Sequence, residues 1–394
     1  MFDVYCRELK MVTHDVGIML FFLFLPFAYP IIYSLIYNPE VVRDVPVVIV
    51  DHDRTSLSRD MVRKLDACEQ MRVIGYAPDL SEARHAMDSR DVFGIIEIPE
   101  GFQRHVGRNE TANAVLYSDM SLLLRYRGFL VATTNVMNEY STELLTEKID
   151  EIAPLAESVA GGDLLPVHNV SMGNIKNGFD SFIMPGVLIL ILQQCIILAV
   201  GMAGGAKREN RLYTGYSSDN TAPSILLTMI AQMLSYLTIL LIPIIFIAHF
   251  VPMIFRFPME GNPLEIFAFL LPVVLASFGV GYAFQAMVTE REAVFVLWVA
   301  TSLLFLFLSG LIWPIYDIPI VWKWLAYLCP STWGVEGFIK MNSNGTSLSQ
   351  IGDIYRNLWI LTVGWWIVGY CANRWVVRPA LLRKVKAAEE PDNT

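Results

Sequence analysis

Apolar residues fall in long unbroken runs near the start of the chain and again over its second half, around a polar stretch where short strand-like and helix-like patterns alternate. Gly17 to Tyr37 reads G-I-M-L-F-F-L-F-L-P-F-A-Y-P-I-I-Y-S-L-I-Y without a charge, which meets the roughly 20 residues a helix needs to cross a bilayer. It is too long for a signal peptide, contains Pro26 and Pro30 and lacks an A-x-A-like exit, so we read a retained span. Before it, Phe2, Tyr5, Leu9, Val12 and Val16 recur every three or four residues, with Arg7, Glu8 and Lys10 between them. That spacing fits an amphipathic helix in the interface plane, or equally the solvated start of the first span.

Between Asn38 and about Phe179 the pattern predicts strands at Val45–Val50, Met71–Tyr76, Val92–Ile98 and Ala112–Tyr117. Helical stretches are predicted at Leu57–Cys68 and Leu80–Met87, with a short one after Pro99-Glu-Gly-Phe. Strands alternating with helices indicate a small α/β domain. Met120 to Ala160 then reads as a long helical stalk ended by Gly161-Gly162, followed by an extended piece around Leu165–Val170.

Five further apolar runs follow: Phe182–Ala203, Ile225–Phe250 (kinked at Pro243), Leu264–Val288, Ala293–Ile312 and Leu358–Val377. The last carries Trp359, Trp365, Trp366 and Trp375, as interfacial belts do. The expectation is an α-helical polytopic membrane protein of six transmembrane helices, arranged one plus five, with an α/β domain inserted after the first.

Ser309 to Met341 does not read as an ordinary loop. It holds four of the nine tryptophans and three prolines. Trp313-Pro314 and Cys329-Pro330 bracket a short segment in which Val321, Trp324, Leu325 and Leu328 share one helical face. We read a re-entrant segment over residues 313–341, marked by Pro314, Trp324 and Pro330. Backbone of this kind is tolerated at membrane depth only where protein buries it or water reaches it.

Composition agrees: 54% of residues are apolar, 17% are charged and mean hydropathy is +0.46, against roughly a quarter charged in soluble proteins. The net charge of −9 is unevenly placed, with 22 acidic and 14 basic residues between Asn38 and Phe179. Orientation is read from short loops. Arg7, Lys10, Lys207, Arg208, Arg211, Arg291, Arg378, Arg383, Lys384 and Lys386 fall on one side, against Arg256, Lys323, Lys340 and Arg356 on the other. This places both termini in the cytoplasm, and the insert and the re-entrant segment outside.

Catalytic and cofactor signatures are missing. There is no P-loop, HExxH, G-x-S-x-G or G-x-G-x-x-G, no basic patch with interleaved aromatics for nucleic acid, and no metal-like Cys/His spacing. Asp51-His52-Asp53 reads as a strand end feeding a helix cap rather than a metal site, and the scattered cysteines read as free thiols. Inside the spans, Gln193, Gln194, Gln232, Ser235, Tyr236, Tyr282 and Gln285 are polar. Such side chains face the bundle interior or a wet cavity; helix-to-helix bonding and the lining of a path both remain open. Glu336 is placed near the outer mouth. The loop Gly204–Ala222, G-G-A-K-R-E-N-R-L-Y-T-G-Y-S-S-D-N-T-A, is basic at its start and lies on the side where ATP is available.

Taken in order, four features resemble the ABC-2-type permeases of ABC transporters, in the drug- and polymer-exporting branch with a large first external loop. They are the one-plus-five layout; V-V-I-V-D-H-D-R-T-S-L-S (Val47–Ser58), F-G-I-I-E-I-P-E-G-F (Phe93–Phe102) and V-L-Y-S-D (Val115–Asp119) in the insert; F-I-M-P-G-V-L-I-L-I-L-Q-Q (Phe182–Gln194); and S-G-L-I-W-P followed by I-P-I-V-W-K-W-L-A-Y-L-C-P-S-T-W-G-V-E-G. The resemblance implies an ABC-2 exporter fold. Residues 1–16 would form a connecting helix, 17–37 the first span, 38–179 the external domain, 180–377 the five-helix part with coupling loop 204–222, and 378–394 a cytoplasmic tail. It implies ATP-driven export of a drug-like, lipid or other amphipathic substrate by alternating access across a bacterial inner membrane. ATP and Mg would bind a separate ABC ATPase subunit and no cofactor this chain. Arg208 and Glu209 stand where the family carries its coupling pair, although N-R-L-Y-T-G-Y replaces the usual glycine-threonine continuation. Gln193 and Gln194 fall on the helix that meets a second permease subunit, identical or not, and a periplasmic adaptor on the insert is left open. The rival expectation is a membrane-anchored secretion or assembly scaffold whose external domain binds partners without transport.

Overall fold

Asp15 breaks the first helical run in two. Its side chain accepts the backbone N–H of Gly17 (2.9 Å) and Ile18 (3.2 Å), so α1 (Phe2–His14) ends there and α2 (Val16–Met19) starts. The computed structural model describes residues 1–37, 43–108, 110–152, 179–209 and 222–380. They form two compact units, one of residues 1–38 with 171–394 and one of 39–170.

In the helical unit α2 runs through a wide π turn (Leu20–Phe24) into α3 (Leu25–Tyr37). A second π turn (Phe246–Phe250) joins α9 (Ala222–Ile245) to α10 (Val251–Phe255). Both are placed by proline. Pro26 and Pro252 lack the N–H that would meet the carbonyls of Phe22 and Ala248, and their rings crowd those carbonyls, so the turn widens there. The centre of the unit is α8 (Phe179–Glu209), which packs against α3, α11 (Pro263–Gln285), α12 (Ala293–Leu308) and α14 (Pro330–Asn342). On the far side of α11 lies α15 (Gly352–Ala372), whose Thr362 Oγ1 and Trp366 Nε1 donate to the carbonyls of Pro272 (3.0 Å) and Leu275 (2.9 Å).

Among the described residues four helices are long and apolar enough to cross a membrane: Val16–Ile36, Phe179–Arg208, Ile225–Phe255 and Pro263–Gln285. Ala293–Leu308 is a shorter apolar helix of 16 residues, about 24 Å of rise, and α15 trades aliphatic side chains for Trp and Tyr.

Ser309–Met341 is helical over much of its length, with a 3₁₀ turn at Ile315–Asp317, α13 (Ile320–Tyr327) and α14. Pro314 precedes the 3₁₀ turn and Pro330 opens α14, where its missing N–H leaves no helical bond unmade. Trp333 Nε1 and Trp365 Nε1 donate to the carbonyls of Tyr327 (3.0 Å) and Leu328 (2.8 Å), securing the α13–α14 corner. Trp324 is 67% exposed.

The second unit is a four-stranded mixed sheet with strand order β2-β1-β3-β4, built from β1 (Val45–Asp51), β2 (Met71–Tyr76), β3 (Gly94–Ile98) and β4 (Val115–Ser118). The first three are parallel; β4 runs antiparallel to β3. Strand β1 is central and covered on both faces. Val45, Val47 and Ile49 join the core under α4 (Ser56–Asp66) and α7 (Leu123–Ile152), while Val48 and Val50 meet α5 (Leu80–Asp88). That burial explains its run of valine and isoleucine. The stretch predicted as a stalk differs from its expectation: Phe129, Ala132 and Tyr140 of α7 are buried in the domain core, so this part of the helix lies on the sheet. The extended piece expected around Leu165–Val170 lies outside the described residues.

Candidate functional site

The C-terminal end of α8, A-G-G-A-K-R-E, is held by three other parts of the helical unit. Gly205 brings it against the turn between α11 and α12: a Cβ there would stand 2.7 Å from Arg291 Cα and 2.8 Å from its N. Arg208 is buried. Its Nη1 donates to Val288 O (2.5 Å) and Ala286 O (3.4 Å), clamping the same turn from the side. Arg291 in turn reaches Asp15 at the α1–α2 joint (Nη1–Oδ2 3.4 Å).

Lys207, beside Arg208, points the other way. Its Nζ lies 2.7 Å from Glu8 Oε2 of α1 and donates to Tyr236 Oη of α9 (2.9 Å). Tyr236 Oη donates to Glu8 Oε2 (2.9 Å), and Gln232 Nε2 to Glu8 Oε1 (3.0 Å). All four residues are buried. Around them Ser235 Oγ donates to Tyr5 O (2.9 Å), and Phe22 stacks edge-on against the Tyr236 ring.

Nearer its middle α8 carries Gln193 and Gln194, both buried. Gln193 Nε2 donates to Ser331 Oγ of α14 (3.3 Å); Gln193 Oε1 and both amide atoms of Gln194 have no partner among the described residues. A buried amide left unbonded costs about 1–3 kcal/mol, so this segment favours a polar companion.

The sequence pattern of ABC-2 family transporter proteins matches residues 17–370. The chain belongs to the ABC-2 transporter family. Among curated proteins none matches it. It is therefore the membrane component of an ABC-2 transporter, a multi-pass protein of a family whose permeases typically lack the ATPase domain and generally pair with ABC ATPases.

In this ABC-2 permease the residues singled out from sequence fall in different places. Arg208 is built into the α8 end. Glu209 closes α8, and the rest of the expected coupling loop, up to residue 221, lies outside the described residues. Gln193 is brought to the start of α14 through Ser331. Glu336 bonds Lys340 one turn away on α14 (2.7 Å). Sequence reading missed Glu8. It was placed among the polar residues of an amphipathic helix, yet α1 turns Tyr5, Glu8 and Val12 toward α9 and leaves Phe2 exposed, as is Val16 at the start of α2. The signal was the polar pair Gln232 and Tyr236 at i and i+4 inside an apolar run, which calls for a buried partner.

In the α/β unit, Asp51-His52-Asp53 serves the turn after β1. Asp51 accepts the N–H of Asp53 (3.0 Å) and Arg54 (2.9 Å) and the hydroxyl of Ser58 (2.7 Å). Asp53 accepts the N–H of Gly101 (2.8 Å) and Gln103 (3.0 Å) at the start of α6 (Phe102–Gly107).

Proposed function

We propose that the chain is the permease half of an ATP-driven exporter, moving an amphipathic substrate outward by alternating access while a separate ABC ATPase binds ATP and Mg. Six helices cross the membrane in this reading: the four long apolar ones, Ala293–Leu308 and α15, with residues 38–179 forming an external domain between the first and second. Both termini lie in the cytoplasm of a bacterial cell, residues 313–341 re-enter from the outside, and a second permease subunit completes the path. Gln193 and Gln194 border that path or the subunit interface.

The observation that carries the reading is the end of α8. A helix that only anchors a domain needs no arginine buried in the turn of its neighbours, whereas a helix that receives a push needs its end fixed to the bundle. Arg208, bonded to Val288 O and Ala286 O, supplies that fixture beside the loop expected to meet the ATPase. The test is Arg208→Ala together with Glu209→Ala in the complex that copurifies with the tagged chain from its native membrane. Loss of substrate-stimulated ATP hydrolysis with normal membrane insertion is expected. Unchanged stimulation would refute the coupling role, and a complex without an ATPase would favour the scaffold.

A further inference from the structure

Glu8 lies outside the stretch that matches the family, residues 17–370, yet its carboxylate is among the most completely buried charged groups of the helical unit, 2% exposed, as is its partner Lys207. An N-terminal helix that packed on α9 through apolar contact alone would carry leucine or methionine there. A buried ion pair adds little net stability over such a replacement, so stability does not account for it. It differs in how it fails. Apolar contact is non-directional and tolerates sliding, whereas parting a buried pair leaves each charge desolvated and uncompensated. Bonds from Tyr236 and Gln232 to both carboxylate oxygens fix the pair in one geometry.

The pair also occupies a particular place. Lys207 adjoins Arg208, whose guanidinium holds the α11–α12 turn, and the far end of α1 is tied to that turn through Asp15 and Arg291. Helix α1 is thus bound at its middle to α8 and α9 and at its end to the α11–α12 turn. We propose that Glu8 and Lys207 are positioning residues for transport, locking α1, the α8 end and α9 into one rigid body, so that a displacement imposed at the α8 end carries the N-terminal helix and the first span with it. This rests on the coupling role proposed above for that end.

Tyr5 Oη and Thr238 Oγ1 lie 3.0 Å apart across the α1–α9 contact and provide the reporter. In a background with Cys6, Cys68, Cys195, Cys329 and Cys371 replaced, Tyr5→Cys and Thr238→Cys are joined with a short bis-methanethiosulfonate reagent. The rate is measured in the copurified complex with no nucleotide and with ATP plus vanadate. The parent is expected to link equally fast in both conditions. Glu8→Gln and Lys207→Met should each link at least tenfold more slowly, with greater slowing under ATP plus vanadate, and Glu8→Lys with Lys207→Glu should restore the parent rate to within about threefold. The neutral pair Glu8→Gln/Lys207→Met leaves no lone buried charge, and it carries the same expectation should a single variant fail to accumulate. Parent-like linking in the neutral variants would overturn the proposal. So would slowing that ignores nucleotide, because a pair that only adds stability moves both conditions alike. Adding Arg208→Ala and Glu209→Ala to Glu8→Gln separates the two readings. If nucleotide dependence persists there, the coupling role fails and the lock stands; if it vanishes, both stand.

Discussion

Asp53 shows how much a single carboxylate in this chain can organise. Partial burial works against its charged form, yet hydrogen bonds from Thr55 Oγ1 and from the backbone N–H of Gln103, Gly101 and Phe102 more than offset that, and its carboxyl sits below the ordinary carboxylate value. The N–H groups come from the start of α6, where Gly101 takes a left-handed φ of 84° that a side chain would strain. Because the folded group holds its proton less tightly than the unfolded one, its contribution to stability is complete above the unfolded pKa, near 4, and is lost as pH falls through the lowered folded value. Amide exchange over residues 99–104 is therefore expected to accelerate below about pH 4. Asp53→Asn should remove that acid step and weaken the local structure at neutral pH by about 2 kcal/mol, the worth of hydrogen bonds to a charged group. An acid step unchanged in the variant would assign it to another group. The turn role of Asp51-His52-Asp53 was legible because Asp51 meets Asp53, Arg54 and Ser58 within its own segment, whereas the bonds of Asp53 to Gly101 and Gln103 were not. Glu8 was not legible either, because its partners Lys207, Gln232 and Tyr236 also lie far along the chain, and helical spacing says which face a residue occupies without saying what that face meets.

At the scale of elements, β1 and β2 were legible to within a residue, while β3 and β4 start two and three residues later than the pattern suggests. What the pattern withheld was order. Placing β1 between β2 and β3 requires the β2-to-β3 connection to cross over, and only burial of β1 on both faces requires that. The end of α8 was legible as a basic loop start, but not as a clamp, because a glycine pair reads as a helix end until a neighbour is seen against it. Gly205 supplies the corresponding prediction. A methyl group there meets the backbone of Arg291, which cannot rotate away as a side chain would. Gly205→Ala should displace the α11–α12 turn from Arg208 and lower stability by about 1–3 kcal/mol, the usual effect of overpacking. Thermal unfolding of the purified permease in detergent checks the stability. Reduced ATP hydrolysis in the complex, at an unchanged amount of bound ATPase, checks the link to function. If unfolding and hydrolysis both match the parent, the close approach has no consequence.

Over the whole molecule, charge and aromatic residues separate along α8. At one end Lys207 and Arg208 lie with Arg291; at the other Gly186 meets Leu311, Val335 and Ile339, beside the segment that carries the exposed Trp313, Tyr316, Trp322 and Trp324. Helix α12 runs between these ends, from Val294 against Gly201 to Leu308, whose carbonyl accepts the hydroxyl of Thr332 (3.0 Å). The basic end and the aromatic end are therefore opposite ends of the same packed helices. An aromatic cluster suits either membrane face, but a cluster of Lys and Arg in short connections favours the cytoplasm, which supports the orientation proposed above. The acidic excess of the insert, 22 acidic against 14 basic residues, does not oppose this, since long domains translocate largely regardless of charge. Single cysteines test the assignment in intact spheroplasts with a membrane-impermeant maleimide, in a background freed of the native cysteines. Ser81→Cys on α5 and Lys323→Cys on α13 are expected to label before lysis, and Lys384→Cys only after it. Labelling of Lys384→Cys before lysis, with Ser81→Cys and Lys323→Cys protected, would invert the orientation and move the α8 end away from ATP. Labelling of Ser81→Cys and Lys384→Cys on the same side would instead require an even number of crossings between them, and would remove either Ala293–Leu308 or α15 from the set of spans.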